Sequence, residues 1–95
     1  MPTLPELRQE IDRLDQKIID LLAQRTRIVE QVGELKTSDD EVVALDRQKE
    51  VYATRRQWAT EHGVDPELVE SLYRRMIEHF IEHERKQLEQ RNNKP

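Results

Sequence analysis

The sequence predicts an all-α protein: three helices forming an intertwined homodimer, with residues 1–95 as one domain. Three observations predict this. Apolar residues recur at spacings of three and four along most of the chain. Only two glycines and four prolines punctuate 95 residues. The first periodic segment is too long for a small compact monomer to cover.

The first helix is expected over residues 4–36. Leu4, Leu7, Ile11, Leu14, Ile18, Leu21, Ile28, Val32 and Leu35 form its seam. Thr3 as N-cap and Glu6 three residues later make a capping box, and Pro5 falls in the first turn, where its missing N–H does little harm. At 1.5 Å per residue this helix is about 50 Å long, whereas a compact chain of this size has a radius of gyration near about 13 Å. Its far stripe therefore calls for a second chain, and a homodimer supplies one.

Thr37 to Glu41 form a polar connection, in which Ser38 and Glu41 offer a second capping box. A second helix is expected over residues 39–61. One stripe of it carries Val43, Arg47, Val51, Thr54 and Trp58, and a neighbouring stripe Leu45, Gln48, Tyr52, Arg55 and Ala59. The β-branched pair Val42-Val43 weakens its first turn. Gly63 suits a left-handed C′ position. Asp65-Pro66 reads as an N-cap followed by proline at N1. The third helix then runs to about residue 90, with Val69, Leu72, Tyr73, Met76, Ile77, Phe80, Ile81 and Leu88 on its apolar side. Residues 91–95 are expected to fray.

Composition narrows the function classes. Charged residues make up 38% and hydrophobic ones 35%, which suits long helices with wet outer faces. There is no cysteine, hence no disulfide and no thiolate nucleophile. No apolar run is long enough to span a bilayer, and no stretch reads as a signal peptide, so a cytoplasmic location is expected. A net charge of −4 argues against broad nucleic-acid binding. His79 and His83 flank Glu82, but the order His79-Phe80-Ile81-Glu82-His83 lacks the zinc-protease spacing, and a solvated face is the better reading. No metal and no organic cofactor are expected.

The informative residues are charges on apolar stripes. Arg25 occupies a seam position of the first helix. A guanidinium on a packing face without an anionic partner costs several kcal/mol, roughly. Arg47, Gln48 and Glu84 interrupt the later stripes in the same way, Lys36 stands at the end of the first helix, and Arg8 lies on the flank of the seam. Packing against a symmetry mate lets Arg8 of one chain reach a pocket built mainly by the other. This cation-rich set suits a small compound with two carboxylates, because the arginine fork makes two parallel bonds to a planar carboxylate. Structural alternatives stay open for each. Arg25 pairs with a glutamate across the seam, or Arg47 covers Val43 and Val51 with its stem. Lys36 is a helix C-terminal charge, Arg8 a solvated flank residue, Asp15 a structural partner for Arg8 or a neighbouring helix, Glu84 a boundary carboxylate paired with Arg85 or another helix, and Gln48 a structural amide.

The stretches LRQEIDRLDQKIIDLLAQRTRIVEQVGELK and RRQWATEHGVDPELVESLYRRMIEHFIEHE resemble the all-helical chorismate mutases, including the related isochorismate pyruvate lyases. The resemblance covers about residues 7–88, and its second stretch is nearer the lyase branch. It implies an intertwined dimer with two equivalent pockets and a chorismate-like dicarboxylate as substrate. It implies that Arg8 of the opposite subunit, with Arg25 and Arg47, holds carboxylates. Lys36 would bond the ether oxygen and an adjacent carboxylate, with Glu84 on the oxygen's other side. Gln48 stands where bacterial mutases often carry a glutamate that holds the substrate hydroxyl. The aspartate expected one turn earlier is replaced by Val43-Ala44, and the connection after Lys36 is one residue shorter than in the common bacterial mutases, as in the lyases.

The implied reaction is conversion of chorismate to prephenate by an intramolecular [3,3] rearrangement. The alternatives are isochorismate cleavage to salicylate and pyruvate, or rearrangement of aminodeoxychorismate. A reading of a different class is a non-catalytic helical dimer used for regulation or partner binding.

Overall fold

Helices account for nearly all of the computed structural model, which describes residues 1–93: α1 Leu4–Leu35, α2 Asp39–Val43, α3 Leu45–Glu61 and α4 Pro66–Asn92. The chain divides into two units, residues 1–34 and residues 35–95.

The first unit is α1 alone. Thr3 Oγ1 accepts from the Glu6 N–H at 3.3 Å, as the capping box requires. The seam is uncovered: from Leu7 at 42% to Ile18 at 54% and Ile28 at 61%, its side chains stand in solvent. A helix of 32 residues with such a face does not draw its stability from propensity alone.

In the second unit, α3 and α2 both pack on α4. The expected continuous helix over 39–61 is corrected here, because it breaks at Ala44, which adopts φ 48° and ψ 59°. The left-handed residue closes α2 by donating its N–H to the Asp40 carbonyl at 2.9 Å, and its own carbonyl accepts the Gln48 N–H at 3.0 Å to open α3. The Val43 carbonyl, left without a helical donor, takes the Gln48 Nε2–H at 2.6 Å. This change of direction lets Val42, the most buried side chain described, sit against the fold while α3 takes its own course. At the start of α2, Ser38 Oγ accepts from the Glu41 N–H at 3.2 Å. The return bonds of the Glu41 carboxylate go to Thr37, from its N–H at 3.3 Å and its hydroxyl at 3.1 Å.

The inward face of α3 mixes the two expected stripes. Val51 and Ala59 are buried, Gln48, Tyr52, Thr54 and Arg55 half-buried, and Leu45, Arg47 and Trp58 exposed. Arg55 lies over the rings of Trp58, at 4.6 Å, and Tyr73, at 5.5 Å, while its Nε is buried without a hydrogen-bond partner. Arg56 ties the helices together through Glu67 at 2.8 Å and Glu70 at 3.3 Å.

The α3–α4 turn forms as expected. Gly63 has φ 72°, and Asp65 Oδ1 accepts from the Glu67 N–H at 2.9 Å ahead of Pro66. On α4 the expected apolar side is half-buried except for Leu72, which is exposed. The helix does not fray at residue 91: it reaches Asn92, and the Arg91 guanidinium donates to the Lys36 carbonyl at 3.0 Å. Lys94 and Pro95, the end of the tail expected to fray, lie outside the described residues.

Candidate functional site

The site forms where the residues after α1 meet the C-terminal half of α4. Lys36 is one residue past the end of α1, and its Nζ donates to Glu84 Oε2 at 3.2 Å and Oε1 at 3.4 Å. A third donor direction of the ammonium lies 3.5 Å from the Val42 carbonyl. Glu84 is only 4% exposed, and among the described residues it is the charged residue the fold buries. A charge so enclosed needs a cation beside it to offset the hydration it has lost. The expected alternative partner, Arg85, instead grips Asp39 with two bonds, Nε to Oδ1 at 2.7 Å and Nη2 to Oδ2 at 3.2 Å. Those bonds hold the Asp39 carboxyl below the usual carboxylate range, against a smaller opposing effect of desolvation, and raise Arg85.

The other residues named from the sequence are placed as follows. Arg47 is exposed and donates to Glu50 at 2.6 Å. Gln48 is half-buried with its amide on the Val43 carbonyl. Arg8 and Arg25 belong to the α1 unit, Arg8 exposed and Arg25 half-buried. The structure thus brings together Lys36 and Glu84 within one unit. His79 and His83 are both exposed, and among the described residues no group of three or more His, Asp or Glu side chains is placed to hold a metal ion. No described helix is long and apolar enough to cross a membrane.

Sequence reasoning placed Arg85 beside Glu84 only as its partner, and missed its pairing with Asp39 and the part played by Arg91. Asp39 and Arg85 are 46 positions apart, and neither interrupts an apolar stripe, so periodicity carries no trace of their pairing. The one available signal was the cluster of cations near the end of the third predicted helix, beside an acidic connection.

Chemically, the pair offers an ammonium and a carboxyl group on a common enclosed spot. A ligand oxygen entering there meets one firm donor in Lys36. It meets a second donor only if Glu84 carries a proton.

A family model described as chorismate mutase type II matches residues 7–85. The chain belongs to that family. It is 32% identical over 92 residues to a chorismate mutase of Methanocaldococcus jannaschii, covering 96% of this chain and 93% of that protein. It is also 32% identical over 78 residues to an isochorismate pyruvate lyase of Pseudomonas aeruginosa, covering 82% and 77% respectively. A T-protein of Enterobacter agglomerans is 37% identical over 75 residues, 78% of this chain, but the chain spans only 20% of that protein's length. The chorismate mutase family, with its isochorismate pyruvate lyase relatives, is therefore the one to which these helices belong.

Proposed function

We propose that this chain is a chorismate mutase that converts chorismate to prephenate. The observation that carries the reading is the Lys36–Glu84 pair, enclosed in a fold whose sequence matches a chorismate mutase along nearly its whole length. In the rearrangement one ether C–O bond breaks as a C–C bond forms, and no atom is gained or lost. The reaction asks for a compact pose of the enolpyruvyl arm over the ring, and for charge stabilisation at the breaking oxygen. Lys36 supplies an ammonium donor there. Glu84 adds a second donor only in a form that carries a proton; the ionised form that pairs with Lys36 in the resting fold repels the oxygen. Both bonds strengthen as negative charge grows on the oxygen, so they act on the transition state more than on the bound substrate. No nucleophile, metal or organic cofactor enters this scheme.

Arg25 and Arg47, with Arg8 from a second copy, are assigned to the two substrate carboxylates, and Gln48 to the ring hydroxyl. The uncovered seam of α1 supports the second copy, since an apolar stripe of this length in water favours association. Arg47 then has to leave Glu50, and Gln48 has to share or give up the Val43 carbonyl. Sedimentation of the wild type and of Ile18→Asp tests the dimer: a dimer for the first and a monomer for the second is expected, and a monomeric wild type refutes it.

A second reading has its own support. The match to an isochorismate pyruvate lyase over most of both chains favours cleavage of isochorismate to salicylate and pyruvate in the same cationic cage. One panel assay with chorismate, isochorismate and aminodeoxychorismate separates the readings. Prephenate from chorismate at the highest kcat/KM supports the mutase, and salicylate as the dominant product replaces it with the lyase. No turnover of any of the three leaves the non-catalytic helical dimer. Lys36→Ala should lower kcat by about 10²–10³, the range for loss of one donor to a developing oxyanion.

A further inference from the structure

The placement of Lys36 is not secured by α1, which ends one residue earlier. Nor can α2 secure it alone, because five residues make barely more than one helical turn, too few to hold a helix in water. What holds the segment is α4. Val42 is buried at 2% exposure and anchors it from the inside. Arg85 grips Asp39 at the first residue of α2 with two parallel bonds. Arg91, six residues further along α4, donates to the backbone carbonyl of Lys36 itself. Glu84 lies next to Arg85 in sequence, so α4 presents the partner of the Lys36 ammonium and the grips on the Asp39 carboxylate and the Lys36 carbonyl from one stretch of helix.

We propose that Arg85 and Arg91 are positioning residues that tether the segment from Lys36 to Val43 to α4 and thereby keep the Lys36 ammonium against Glu84. The guanidiniums touch no reacting atom in this scheme. They act on the segment that follows the Lys36 side chain, Arg91 at the Lys36 carbonyl and Arg85 at the Asp39 carboxylate three residues on. Without them the segment hangs from Val42 and the Lys36–Glu84 bonds. The ammonium then samples positions that miss the spot where a ligand oxygen would sit. The consequence for catalysis rests on the mutase or lyase reading above, while the tether itself does not.

The test uses the full chain carrying Arg85→Gln, Arg91→Gln and both, with Arg74→Gln as a control. Arg74 is as exposed as Arg85 and pairs with Glu70, a less exposed partner than Asp39, and its ion pair lies outside this segment. Backbone hydrogen exchange is followed at residues 37–43 and, separately, along α3 and α4. Steady-state turnover is measured on whichever of chorismate and isochorismate the wild type converts. In the double variant, exchange at 37–43 should rise about tenfold while the α3 amides stay as protected as before. Its kcat should fall about tenfold with KM changing far less, because the lost placement matters most in the transition state. Arg85→Lys, which restores one of the two bonds, should recover part of both effects, and Arg74→Gln should show neither. Unchanged exchange at 37–43 overturns the tether. Faster exchange with unchanged kcat and KM overturns the positioning role. If the wild type converts neither compound, the functional reading fails. The tether is then still decided by the exchange rates and by whether the NMR signal of the Lys36 ammonium loses its protection from solvent in the double variant.

Discussion

Replacing Lys36 by methionine keeps most of the side-chain volume and removes the charge that faces Glu84. At 3.2 Å, two unit charges attract by about 5 kcal/mol at the effective dielectric suited to partly buried pairs. The Glu84 side chain is 5% exposed and the Lys36 side chain 19%, so desolvation of the carboxylate offsets most of that attraction and the pair contributes little net stability. The single variant is a different case. It removes the attraction and leaves the burial, so Lys36→Met should destabilise the fold by about 3 kcal/mol, the low end for breaking a buried pair. Glu84→Gln leaves an exposed-side ammonium that water can reach, and should cost about 1 kcal/mol. The double variant should be more stable than Lys36→Met alone, with a coupling energy of about 2 kcal/mol. Urea unfolding at one fixed protein concentration measures all four corners, with equal m-values required for the comparison. A Lys36→Met variant within about 0.5 kcal/mol of wild type, or a coupling energy near zero, refutes the argument that Glu84 depends on this ammonium.

Three further outcomes follow from the same fold. Gly63→Ala should cost about 1 kcal/mol, read as a fall in Tm of about 4–8 °C, because φ is 72° and the added methyl group meets nothing within 4 Å, leaving only the backbone penalty. Ala44→Gly should raise Tm by a few degrees: relief of a left-handed alanine, about 1–2 kcal/mol, exceeds the extra entropy glycine carries in the unfolded chain, about 0.5–1 kcal/mol. Asp39 and Glu70 are both held below their ordinary range, chiefly by hydrogen bonds from Arg85 and Arg74. Their contribution to stability is therefore present above the ordinary carboxylate range and lost as pH falls through the depressed folded values. The stability gap between wild type and either Arg85→Gln or Arg74→Gln should close below about pH 4, as followed by thermal melts from pH 6 to pH 2.

Much of the fold was legible because helix periodicity, caps and punctuation agree. Thr3, Gly63 and Asp65-Pro66 mark boundaries by local chemistry alone, and the structure puts those boundaries within a residue or two of where the chemistry calls for them. The break at Ala44 was legible only as a weak first turn at Val42-Val43, not as a left-handed residue. Alanine is the strongest helix former, and nothing local asks it to turn left-handed. The demand comes from elsewhere, from burying Val42 on α4 while Gln48 satisfies the Val43 carbonyl. For the site, Lys36 and Glu84 could be singled out because each is polar where the stripe or the helix end makes it conspicuous. Arg85, Arg91 and Asp39 sit on ordinary wet positions, and only tertiary placement gives them a task. Leu72 and Trp58 show the reverse: they fit the helical stripes yet stand exposed, because period alone does not tell how wide a face the neighbouring helix covers.

Stability does not account for an ion pair at the inner end of this fold. A leucine and a methionine at positions 84 and 36 would fill the space without desolvating charges, and such exchanges are commonly neutral or stabilising. The chain instead keeps the pair and holds the segment after Lys36 with a guanidinium on the Lys36 carbonyl, a two-bond grip on the Asp39 carboxylate, and a left-handed alanine that ends α2. Several local choices that are individually unfavourable or neutral converge on the position of one ammonium group. Departures from the most stable local solution gather where a protein works on something other than itself. On the mutase reading proposed above, that something is an ether oxygen gaining negative charge, which takes the Lys36 donor.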